Sequence, residues 1–155
     1  METIIFLDLE DTVIDDWSKQ WSAEAVNTEK VKEWIASINP DRVRLFSYAM
    51  WTDHCIKDFE TMYQKWLSRL LDVEFDMEDC FTTAKLYEMA SRSTWFEDEQ
   101  ECLIMYGKDY GFQWYIQKKD YRDCVIYLLD DVIEDKTIHY PKKNLTVHFV
   151  NVTTL

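Results

Sequence analysis

The chain opens with an apolar run that ends in acid. Thr3-Ile4-Ile5-Phe6-Leu7 leads into Asp8, Glu10 and Asp11, and Thr12 follows. A continuous apolar segment of this kind fits a strand buried on both faces, as in a parallel sheet. Parallel strands need long crossovers, usually helical, so this segment commits much of the remaining chain to an α/β plan. It also places polar residues at the carboxyl end of a strand, where open α/β sheets bind ligands. Strand alternation predicts Asp8 and Glu10 on one side, about 6–7 Å apart. Two carboxylates so held can bind a hard cation or divide nucleophilic and acid–base roles. The bland alternative is a strand end followed by an acidic turn.

The rest of the sequence agrees with that plan. Residues 13–27 are ambiguous, with Trp17 and Trp21 at helical spacing. Thr28 can cap a helix whose apolar stripe is Val31, Trp34, Ile35 and Ile38. Asn39-Pro40-Asp41 ends it, and 43–48 reads as a second strand finishing at Ser47. From 51 to 71 the pattern is helical, with Cys55, Phe59, Met62, Tyr63, Trp66, Leu67 and Leu70 on one face. The acidic stretch 72–79 reads as a solvated loop, since it lacks the glycine and spacing of a calcium-binding loop. Residues 80–92 and 109–119 are predicted helices, and the acidic run 97–101 reads as a helix start. The segment 124–129 is the clearest buried strand; it ends at Asp130-Asp131, and a last strand covers 145–150. Strand carboxyl ends thus carry Asp8 and Glu10, Ser47, and Asp130 with Asp131.

Composition supports one folded domain over 1–155. Hydrophobic residues make up 47% of 155 positions, enough for a sizeable core. Only two Gly and two Pro occur, which argues against a many-turned all-β fold. The formal charge of −13 disfavours nucleic acid beyond single nucleotides and disfavours anionic membranes. It would suit a basic protein partner. A phosphorylated substrate would need a local counter-charge, such as a cation or a single Lys. Cys55, Cys80, Cys102 and Cys124 form no CxxC pair, so no zinc or redox motif is present. His54, His139 and His148 share no metal-ligand spacing. No leader-like or membrane-spanning segment is legible, and a cytoplasmic setting is the expectation.

Taken in order, these strand ends resemble the haloacid dehalogenase-like superfamily, most of whose members are magnesium-dependent phosphohydrolases. Its first motif, an apolar strand ending Asp-x-Asp-x-Thr or Val, is matched by Asp8-Leu9-Glu10-Asp11-Thr12. The second, a strand ending in Ser or Thr, is matched by Leu45-Phe46-Ser47. The third, a Lys or Arg ahead of the fourth, is best matched by Lys108, with Lys118 and Lys119 as rivals. The fourth, a strand ending in paired acids, is matched by Leu128-Leu129-Asp130-Asp131.

The resemblance implies a three-layer, Rossmann-like parallel sheet flanked by helices, with 51–107 available as a small helical insertion or cap. It implies Asp8 as nucleophile, Glu10 as acid–base, and Ser47 and Lys108 as phosphoryl-binding groups. It implies Mg²⁺ held by Asp8, position 10 through its backbone carbonyl, and Asp130 or Asp131, with Asp135 as a further acid. Thr12 would orient the loop. Glu10 stands where the family has Asp; its extra methylene moves the carboxyl by about 1.5 Å, and errors near 1 Å can cost on the order of 100-fold in rate. Asp11 stands where many members have Gly. The function so implied is a phosphomonoesterase for a small phosphorylated molecule, slowed by Glu10. A nucleotide is one candidate, with Trp51 or Trp95 stacking on its base. The alternative is a catalytically weak binding or inhibitor protein that turns its acidic surface to a basic partner.

Overall fold

The computed structural model describes residues 1–91 and 107–155; Trp95, the acidic run 97–101 and Cys102 lie outside the described residues. β1 (Glu2–Leu7) is followed by α1 (Thr28–Ile38) and β2 (Arg42–Leu45). Next come α2 (Asp53–Met62), α3 (Gln64–Leu71), α4 (Thr83–Ser91) and α5 (Lys108–Lys118). β3 (Cys124–Asp130), β4 (Lys136–Tyr140) and β5 (Leu145–Asn151) close the chain. The strands form one sheet in the order β2-β1-β3-β5-β4. All pairings are parallel except β4 with β5. The architecture is α/β and Rossmann-like, with helices on both faces of a mostly parallel sheet.

Period-two alternation in β1 divides the core. Ile4 and Phe6 pack with Leu86 of α4 and with Phe112 and Ile116 of α5. Ile5 and Leu7 pack on the other face with Val31 and Ile35 of α1, Phe59 of α2, and Leu67 and Leu71 of α3. Each such side chain, fully buried, contributes about 1.5–3 kcal/mol. Phe6 and Phe46 both meet the Phe112 ring edge-on, with centroids 5.2 and 4.8 Å away.

Several local expectations are corrected. The residue preceding α1 is Asn27, not Thr28; it sits at φ 57° and makes no side-chain cap bond. Its Nδ2 instead donates to the Thr12 carbonyl at 3.2 Å, tying the helix start to the loop after β1. The helical stretch 51–71 breaks at Tyr63, at φ −121° and ψ −35°. There the buried Tyr63 ring stacks on Trp17 at 4.8 Å and its hydroxyl donates to the Trp17 carbonyl at 2.8 Å. That tertiary anchor outweighs helix continuity. The stretch 72–79 is more than a solvated loop. Phe75 bridges Val43, the Asp76 N–H donates to the Val43 carbonyl, and the Asp76 carboxylate pairs with Arg44, so it covers the open edge of β2. β4 was not legible because only Ile138 and Tyr140 of Lys136–Tyr140 pack against the core, an alternation too short to mark a strand.

Within 51–107, α2 and α3 pack against one face of the sheet, and α4 brings Tyr87 to the strand ends. Among the described residues no helix is long and apolar enough to cross a membrane.

Candidate functional site

The register of the sheet builds the site. Leu7 pairs with Leu45 on one side and Leu129 on the other, so residue 8 emerges beside residues 46 and 130. The Asp8 N–H donates to the Leu129 carbonyl at 3.0 Å, and the Phe46 N–H to the Leu7 carbonyl at 2.8 Å. From β1 the chain passes first to β2 on one side and later to β3 on the other. Divergence of connections in this way opens a crevice at the strand carboxyl ends, where α/β sheets bind ligands.

The loop after β1 is a single tight turn. The N–H groups of Thr12, Val13 and Ile14 converge on the Leu9 carbonyl at 3.2, 3.0 and 3.1 Å. Asp11 takes φ 60°, a conformation that short polar side chains tolerate better than most. The turn buries Thr12, whose hydroxyl donates to Asp8 Oδ2 at 2.9 Å. Lys108 reaches Asp8 from the opposite direction. Gly107, at φ 85° and ψ −171°, takes a backbone shape that side chains disfavour and leads into α5. Lys108 in the first turn then directs Nζ to Asp8 Oδ1 at 2.6 Å and into ion contact with Asp130 Oδ2. Its side chain is only 8% exposed, and its ammonium lies 5.9 and 5.6 Å from the Phe46 and Tyr48 ring centroids.

Asp130 is 0% exposed. Its Oδ1 accepts the Val132 N–H at 2.9 Å, whereas Oδ2, despite the ion contact with Lys108, has no well-directed hydrogen bond. Asp8, Asp130 and Asp131 each offer a carboxylate oxygen within 4.8 Å of the others. Among the described residues three acids meet one lysine, an excess of acid that is costly to bury without a cation. Burial first, then the charges of Asp8 and Asp130, push the Asp131 carboxyl up to about 7. Hard oxygen donors, excess negative charge and the ill-directed Asp130 oxygen fit a hard divalent cation such as Mg²⁺.

The remaining expected residues sort cleanly. Ser47 is buried and lines the same cleft; its Oγ accepts the Ala49 N–H at 3.3 Å, leaving its O–H to donate. Glu10 also lines the cleft, but its carboxylate lies outside the group of three. β1 ends at Leu7, so Glu10 is presented by the turn and not by strand alternation. Burial raises its pKa, neighbouring Asp16, Asp8 and Asp11 add to this, and a hydrogen bond from the Trp17 backbone opposes it. Lys118 and Lys119 are elsewhere, over the Trp114 ring and paired with Asp79. Asp135 is also elsewhere, accepting the Asn151 N–H at 2.6 Å. His54 is exposed beside Asp58, while His139 and His148 bond to Thr146 and Thr137 across the β4–β5 pair.

The cleft encloses about 550 Å³ and is also lined by Tyr48, Tyr87 and Val132, which no sequence spacing had marked. Compared with known protein families, curated proteins and solved structures, the chain matches none.

Proposed function

We propose that this chain is a Mg²⁺-dependent phosphomonoesterase of haloacid dehalogenase-like type, acting on a small phosphorylated substrate through an aspartyl-phosphate on Asp8. The observation that carries the reading is the convergence of Asp8, Lys108, Asp130 and Asp131 at the carboxyl ends of two adjacent parallel strands. Asp8, Asp130 and Asp131 would hold the ion. When bound, it supplies positive charge that offsets the repulsion between a carboxylate and a phosphate dianion.

The side chains divide the work. Thr12 and Lys108 hold the two oxygens of Asp8, fixing the nucleophile's orientation. An Asp8 oxygen attacks phosphorus and the ester P–O bond breaks. Glu10, whose pKa is raised by burial, gives a proton to the leaving oxygen. It then takes a proton from the water that attacks the aspartyl-phosphate, releasing phosphate and restoring Asp8. Ser47 donates to a phosphoryl oxygen, and the Lys108 ammonium stabilises charge on the transferring group.

The test is turnover of 4-nitrophenyl phosphate with and without Mg²⁺. Activity should require the metal and vanish in Asp8→Asn. Metal-dependent activity that survives Asp8→Asn removes the nucleophile assignment. A folded chain inert on a broad phosphate panel points instead to an acidic protein that binds a basic partner.

A further inference from the structure

The cleft wall changes character beside the carboxylates. Tyr48, Tyr87 and Val132 line it together with Asp8, Lys108 and Asp131. Trp51, 51% exposed, stands edge-on to Tyr87, with ring centroids 5.6 Å apart at 73°. Val132 is 72% exposed. Tyr48 packs against Phe46 and Phe81 beneath the Lys108 ammonium, but phosphoryl chemistry does not account for Tyr87, Trp51 and the exposed Val132 at this border.

Size points the same way. A water takes about 30 Å³, so a phosphoryl group with a partly hydrated ion fills on the order of 150–200 Å³. More than half of the roughly 550 Å³ cleft is then left for the leaving group. Charge narrows what can enter. Among the described residues, the charged groups of the lining besides the cluster itself are Glu10 and Asp11, two more acids, so a second anionic group on the substrate would be repelled. What remains favourable is a neutral body with flat faces, which aromatic walls hold by stacking and edge contacts.

We infer that the wall of Tyr48, Tyr87 and Val132, backed by Trp51, is a leaving-group subsite for a neutral planar ring. The preferred substrate is therefore a small monophosphate ester that carries a nucleobase or aryl group. This rests on the phosphomonoesterase reading and narrows its substrate class.

Thymidine 5′-monophosphate and glycerol 3-phosphate test it, because both release a primary alcohol and only the thymidine ester carries a planar ring. Stacking on one ring typically changes affinity by about tenfold. In Mg²⁺, kcat/KM for the thymidine ester should exceed that for the glycerol ester by about tenfold or more, with the gap mainly in KM. Tyr87→Ala and Trp51→Ala should each shrink the gap to about threefold or less, and Tyr87→Phe, which keeps the ring, should restore it. Equal kcat/KM for the two esters in wild type, or a gap that survives both alanine changes, overturns the ring subsite while leaving the hydrolase standing. Failure to turn over either ester while 4-nitrophenyl phosphate is hydrolysed overturns the ring subsite alone, and inertness on all three overturns both readings.

Discussion

Replacing Asp131 by Asn should stabilise the metal-free protein, although it removes a side chain from the proposed active centre. In the folded chain the Asp131 carboxyl is displaced from 3.8 to about 7, by burial and by the charges of Asp8 and Asp130. A raised acid pKa means that the native state holds the proton more tightly than the unfolded chain. Its contribution to stability is therefore intact below 3.8 and lost as pH rises to about 7. At about 1.36 kcal/mol per pH unit of displacement, the full conversion is about 4 kcal/mol. Asp131 retains solvent contact, so screening reduces this to about 1–2 kcal/mol. Urea unfolding in EDTA is the assay. Asp131→Asn should exceed wild type by that amount at pH 8, and the advantage should shrink steadily as pH falls from 7 towards 4. Mg²⁺ at about 100 times its dissociation constant adds about 2.7 kcal/mol to wild type. It should add less to the variant, so that the order reverses. A variant that is less stable than wild type at pH 8 without metal, and insensitive to pH in the same way, would refute the crowding of charge on which the site rests.

Other perturbations probe single contacts. Lys108→Met strips the counter-ion from Asp8 and from the fully buried Asp130; urea unfolding in EDTA should register a loss of about 3–5 kcal/mol, and turnover should disappear. Thr12→Val deletes the hydroxyl bonded to Asp8 Oδ2; it should cost about 1 kcal/mol in unfolding free energy, and kcat should fall while substrate KM changes little. Glu10→Gln removes the acid–base group; alkyl phosphate turnover should drop by about 10²–10⁴, and 4-nitrophenyl phosphate, whose leaving group needs no proton, should still release a first-turnover burst of 4-nitrophenolate before hydrolysis of the aspartyl-phosphate stalls.

The parts of this architecture legible in the sequence are those governed by strong periodicity. The apolar runs of β1 and β3 declare buried parallel strands, and the Val31–Ile35 stripe declares α1. Asp8, Asp130 and Asp131 could be paired from their positions at strand ends, because parallel pairing brings the carboxyl ends of neighbouring strands together, whereas only the family resemblance singles out Lys108 over Lys118 and Lys119. What could not be read depends on long-range contacts that leave no local trace. Tyr63 interrupts a helix because Trp17 waits for its ring. The acids at 72–79 lie along β2 because Arg44 accepts one of them as a partner. β4 lies on an edge and offers only Ile138 and Tyr140 to the core, too short a period to announce a strand. At the site, the Thr12–Asp8 bond depends on the tightness of one turn, and Tyr87 enters the cleft only through the placement of α4.

A crystal soaked in Mn²⁺, an anomalous scatterer that shares the octahedral oxygen preference of Mg²⁺, addresses the central claim most directly. One strong anomalous peak is expected, bounded by Asp8, Asp130 and Asp131 at about 2.0–2.2 Å from their oxygens, and it should be lost in Asp130→Asn. A map with no peak between these three carboxylates, or with its strongest peak among other surface acids, would contradict it.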